Sequence, residues 1–140
     1  MRRRDLIAAS ALLPAITAGQ AAADERPAPR GATLNMPGVG LPIITDGRLR
    51  NYVFVSLRLH LGGSATPESM RSREAFLRDA LIRAGHRTPF VVPGDWNRID
   101  AAALSASLMR SAAAIAGRGA VTRVEVVSQT PRRRMSARTA

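Results

Sequence analysis

The chain contains no cysteine and no lysine, and its aromatic residues are one Trp, one Tyr and three Phe. Without cysteine there is no disulfide, no thiolate nucleophile and no thiolate metal ligand. With so few aromatics, the core must be built mainly from Leu, Val, Ile and Ala. Acids are scarce too. Ten Asp and Glu stand against 21 basic residues, all of them Arg, and the net charge is +11. Arg-only usage beside abundant Ala is what a GC-rich coding sequence produces, so the absence of Lys carries little chemistry. The surplus of positive charge favours anionic partners: lipid headgroups, acidic protein patches or nucleic acid. There is no Gly-x-Ser-x-Gly turn, and no Gly-rich phosphate loop follows a strand. The two histidines, His60 and His86, are 26 positions apart with no metal-ligand spacing around them. The expectation is a protein that is not an enzyme and has no metal and no cofactor.

What is present is one strong period. In Asn51 to Leu61 (NYVFVSLRLHL) the odd positions Val53, Val55, Leu57, Leu59 and Leu61 are all apolar. The even positions are Tyr52, Phe54, Ser56, Arg58 and His60. Successive strand side chains point to opposite faces, so this stretch is a strand with one greasy and one amphipathic face. The 140 residues suffice for one domain and not comfortably for two.

Residues 1–23 read as an export signal. Arg2, Arg3 and Arg4 form a basic start, Leu6 to Gly19 a short apolar run, and Ala21 to Ala23 the small residues before a cleavage point at Asp24. Arg3 and Arg4 open RRDLI, which resembles the twin-arginine pattern. The expected location is the periplasm. The alternative is an uncleaved anchor in the inner membrane facing the periplasm, but the run carries Pro14, Thr17 and Gln20 and falls short of the roughly 20 apolar residues a span needs.

Residues 24–40 read as a Pro/Gly-rich linker, although Leu34, Met36 and Val39 are apolar. Residues 41–131 read as the folded domain. Leu41 to Thr45 pairs with the long strand through an Asp46-Gly47 turn. Thr66, Pro67 and Glu68 start a helix, which Gly85 is expected to stop. Its core face is Met70, Leu77, Ala80, Leu81 and Ala84, with Phe76 at the edge. His86 to Asn97 reads as irregular. A second helix covers Ala101 to Ala116, capped by Asp95 or Asp100, with a stripe of Leu104, Leu108, Ala112 and Ile115. Ala120 to Thr130 is a last strand, with Val124 and Val126 on one face and Val121 and Val127 on the other. Residues 132–140 read as a basic disordered tail. The expected fold class is α+β: a two-layer sandwich in which two helices cover a small sheet, the β-hairpin plus the C-terminal strand.

Five features stand out between Leu41 and Thr130: YVFVSLRLHL, the Arg78-Asp79 step before Leu81-Ile82 in the first helix, Arg87-Thr88, Leu104, and Gln129 near the end of the last strand. On these the stretch resembles the periplasmic domain of the flagellar basal-body-associated FliL family. The resemblance implies a stomatin-like α+β domain with a structural role beside the flagellar stator. Members of that family keep a transmembrane anchor, and this chain departs from them in its cleavable leader.

The candidate contact residues follow. Asp79 is the characteristic acid implied by the resemblance, and Arg78 and Ile82 lie with it on the helix face turned from the core. Tyr52 and Phe54 mark the amphipathic face of the long strand, which either the linker from Asp24 to Gly40 folds back over or a partner meets. Together they point to a protein partner or to self-association. Arg132, Arg133, Arg134 and Arg138 are candidates for an anionic membrane surface. Export, and the lack of an aromatic platform beside these arginines, argue against nucleic acid. His60 reads as a half-exposed strand residue and His86 as a cap on the last carbonyls of the first helix. Arg73 and Glu74 read as an ion pair at the edge of the core.

Overall fold

The computed structural model describes residues 31–136. The export signal, with Arg3, Arg4, Ala21 and Ala23, residues 24–30 of the expected linker, and Arg138 lie outside the described residues.

The described chain is a two-layer α+β sandwich. Its elements are β1 (Thr33–Thr45), β2 (Arg48–Leu61), α1 (Pro67–Arg87), β3 (Val91–Val92), β4 (Asp95–Ile99), α2 (Ala101–Ala116) and β5 (Val121–Pro131). β2 is the central strand of an antiparallel sheet of order β1-β2-β5, and β3 and β4 form a separate small hairpin. The expected hairpin turn is present. Thr45 pairs with Arg48, and Asp46 and Gly47 take φ of 54° and 70°. Positive φ at both central residues is the turn whose twist matches a two-residue hairpin.

The odd row of β2 is the floor of the core. Val53, Val55 and Leu59 are fully buried, and Leu57 and Leu61 nearly so. Met70, Leu77 and Leu81 of α1 and Leu104, Leu108 and Ala112 of α2 cover this row from one side. Thr66 caps α1 reciprocally. Its Oγ1 accepts from Ser69 N–H at 3.1 Å, while Ser69 Oγ accepts from Thr66 N–H at 3.0 Å. Asp100 caps α2, its Oδ1 accepting from Ala103 N–H at 3.1 Å.

The stretch expected as a linker is strand from Thr33 onward, so the folded domain begins before Leu41. β1 runs the length of β2, from Thr33 opposite His60 to Thr45 opposite Arg48. Its apolar residues escape a simple alternation because of a bulge. Met36 faces Leu57 and Val39 faces Val55, so three steps on β1 match two on β2. Gly38 supplies the positive φ there. The extra residue returns Leu34, Met36, Val39, Leu41 and Ile43 to one buried face.

Three further features depart from expectation. The stretch His86 to Asn97 holds β3 and the start of β4, a hairpin that turns at Pro93-Gly94 and ends at Ile99. Val121 shares the core face with Val124, because Leu61 pairs with Val121 and His60 with Arg123, which leaves Thr122 as a bulge. Helix α1 does not stop at Gly85 but continues to Arg87. Gly85 is buried, and a Cβ there would stand 3.1 Å from Leu41 Cδ2 and 3.5 Å from Phe90 Cε2. This glycine is a packing gap that lets α1 approach β1. Gly85→Val is expected to cost about 1–3 kcal/mol through overpacking, despite the better helix propensity. Urea denaturation checks this; wild-type stability in the Val variant would show that the contact is not tight.

Candidate interaction surfaces

Two helices on one side leave the opposite face of the sheet without a helix among the described residues. That face carries the even row of β2. Tyr52 stands opposite Pro42 and Phe54 opposite Gly40. The Phe54 ring lies over Gly40, within 3.0 Å of where a Cβ would be, and so covers the backbone of the neighbouring strand. It is still 44% exposed.

Further along the same face, Glu125 collects two partners from β2. His60 Nε2–H donates to its Oε2 at 3.1 Å, and Arg58 Nη1 lies 3.7 Å from the same oxygen. Register makes this cluster: Arg58 is opposite Glu125, and His60 opposite Arg123. The His60 hydrogen bond holds the Glu125 carboxyl below the ordinary glutamate range, with smaller help from Arg58 and Arg123 against some desolvation. His60 is thus the half-exposed strand residue expected, and it is one of an ion cluster. His86, at the end of α1, donates from Nδ1 to Ile82 O at 2.8 Å, as expected of a C-terminal cap.

On α1, Arg78, Asp79 and Ile82 come together around a shallow hollow with Arg71 and Glu74. Their environments differ from the expectation of one free face. Arg78 Nη2 donates to Pro37 O and to Glu74 Oε1, each at 3.0 Å, and so ties the helix to the β1 bulge. Ile82 is half-buried and packs on the core. Asp79 is exposed and paired with Arg83 at 3.1 Å. Arg73 is not paired with Glu74; its Nη1 donates to Ile115 O at 2.6 Å, at the end of α2.

The basic run is held rather than loose over its described part. Arg132 N–H donates to Tyr52 O at 2.8 Å, which carries the β5 edge one step past Pro131. Asn51, buried in the apolar row, then clamps the next residue. Its Nδ2 donates to Arg133 O and to Trp96 O, each at 2.8 Å, while its Oδ1 accepts from Tyr52 N–H at 2.9 Å. Asn97 does the same for Met135, donating to its carbonyl at 2.6 Å and accepting from its N–H at 2.7 Å. Gln129 completes the set, accepting from Ile99 N–H at 2.7 Å and donating to Ile99 O at 3.4 Å. Each side-chain amide stands in for a missing strand neighbour. Asn51 sits on an odd position of β2, and that polar break in the row was the available signal for a buried clamp.

Among the described residues no three His, Asp or Glu side chains gather as a metal site, and no helix is long and apolar enough to cross a membrane. The chain has no match among family models, curated proteins or solved structures.

Two outcomes follow from this geometry. Asn51→Ala removes the partner of Trp96 O and of both Arg133 backbone groups and is expected to cost about 1–3 kcal/mol. Denaturant titration measures that loss, and hydrogen exchange should report faster exchange at Arg132 N–H; unchanged protection there would dismiss the clamp. The second concerns acid. A depressed folded pKa means that the stability due to Glu125 is complete above the ordinary glutamate value and is lost as pH falls through the lower folded value. In an NMR titration the Glu125 carboxyl should therefore titrate below free glutamate, and His60→Ala should move it upward. A midpoint indifferent to His60→Ala would refute the assignment.

Proposed function

We propose that this is an exported, non-enzymatic interaction domain, similar to the periplasmic domain of the FliL family, that works by protein–protein contact through the bare face of its sheet. The observation that carries the reading is Phe54: a large apolar ring, 44% exposed, on a sheet face that holds no helix among the described residues. Rings placed in this way, beside fixed charges such as the Arg58, His60 and Glu125 cluster, are what a partner covers. The FliL likeness draws support from the element order around β2 and from the place of Asp79, exposed on α1. Self-association through the same face is included, since both copies offer an aromatic and an ion cluster.

A second reading is favoured by the clamped basic run. Arg132, Arg133 and Arg134 are exposed on backbone that Asn51 and Asn97 hold, which suits attachment to an anionic membrane surface.

The test is in-cell cross-linking of the exported chain beside its Phe54→Arg and Arg132→Ala/Arg133→Ala/Arg134→Ala variants, each first shown to melt like the wild type. Loss of the cross-linked species in Phe54→Arg alone is the expected result. If that species persists in Phe54→Arg, the sheet-face reading fails. Envelope association that disappears only in the triple variant, and with rising salt, establishes the second reading instead. In a flagellated host, deletion should impair swimming; normal motility would remove the motor role and leave the contact role standing.

A further inference from the structure

The outer side of the helix layer carries a trough that the sheet-face reading does not use. It lies between α1 and α2 and is made of two hollows, ≈ 530 Å³ and ≈ 660 Å³, which share Arg87 and Ser111. The helices run antiparallel here: Arg73, early in α1, bonds Ile115, late in α2, and Ala84 and Thr88 line the far hollow with Ala103 and Ser107. From Arg73 to Arg87 the trough follows α1 for about 21 Å, at 1.5 Å per residue.

Its composition has three parts. The floor is small: Ala80, Ala84, Ala106 and Ser111 let another backbone come close. Phe76, 64% exposed, stands at one end and is the most exposed large apolar side chain among the described residues. The rims are basic on both helices. Arg73, Arg83 and Arg87 rise from α1 and Arg110 from α2, while the one carboxylate lining it is Asp79, already paired with Arg83. Arg87 and Arg110 have no ion pair among the described residues.

We infer that this trough docks an acidic amphipathic helix of a partner protein, about four turns long. Small apolar residues of that helix lie on the floor and against Phe76, and its Asp and Glu side chains meet the arginines of both rims. Charge complementarity selects the occupant: a small-floored trough of mixed lining with Arg on both banks repels a second copy of this strongly basic chain along its own trough. The inference rests on the reading of the chain as an interaction domain, at a different surface.

The probe is a synthetic 16-residue helix with Ala and Leu on one face and Glu on the other, titrated into the full chain by fluorescence anisotropy and mapped by amide shifts. A Glu→Gln version of the peptide is expected to bind at least about tenfold more weakly, as the loss of roughly 1.4 kcal/mol requires. Arg87→Glu/Arg110→Glu should weaken the Glu peptide by a similar factor, and Ala106→Trp, which fills the floor without changing charge, should do so as well. Arg48→Glu/Arg123→Glu, with the same net charge but placed at the hairpin turn and on the open sheet face, should leave binding within twofold. Equal losses in that control mean bulk attraction only and overturn the inference, as does a Glu peptide indifferent to Ala106→Trp. Trough-dependent binding of phosphatidylglycerol vesicles in place of the peptide would overturn it too. Phe54→Arg separates the two proposals, because it should abolish sheet-face contacts and leave the peptide affinity unchanged. If Ala106→Trp fails to fold, Ser111→Tyr replaces it on the same floor.

Discussion

The burial of one row of side chains governs this molecule. The odd positions of β2 are apolar from Val53 to Leu61, and none can meet water without losing about 1.5–3 kcal/mol per side chain. A strand paired on both edges and greasy on one face needs a single covering layer, and α1 and α2 are that layer. α1 covers the β1 side and α2 the β5 side. Three consequences follow from this arrangement. The helices must approach closely enough for Gly85 to matter. Among the described residues the sheet keeps one face without a helix. The outer side of the helix pair is a second surface, with its own chemistry.

The polar side chains that matter most do not act as charges. Asn51, Asn97 and Gln129 each offer an amide NH2 and a carbonyl oxygen at the spacing of a peptide group, and Asn51 uses both of its N–H donors. They extend pairing along edges that no strand occupies: the backbone of Arg133 and Met135, and the edge of Ile99 that faces away from its partner Val91 in β3. Arg78 plays a similar part at the β1 bulge, where Pro37 O has lost its ladder partner. The exposed ion pairs, such as Arg83 with Asp79, contribute little to stability by comparison.

The fold class was legible in the sequence because its strongest signals are periodic. The alternation of β2, the Asp46-Gly47 turn, the Thr66-Pro67 start and the stripe of α2 all have local causes and all appear where expected. What escaped has non-local causes. Bulges at Gly38 and Thr122 insert one residue and reverse the faces that a strict two-residue period assigns, which hid half of β1 and misplaced Val121. Gly85 reads as a stop in one dimension and is a contact in three. Of the candidate contact residues, Tyr52 and Phe54 lie on the open face as their parity requires. Arg78 and Ile82 depend on Pro37 and the core, partners about 40 residues away or scattered through the fold, and no spacing along α1 reveals them.

The clamp on Arg133 and Met135 also fixes where the described chain ends. It enters β1 beside His60 and departs beside Asn51, at opposite ends of β2, roughly 30 Å apart at 3.3 Å per residue. β1 and β5 run in the same direction on either side of β2. A force drawing the two exits apart therefore slides both outer strands along the middle one. The ladder bonds are loaded together, in shear, and none can be peeled open first. Tension applied across the described strands is therefore carried by both ladders at once.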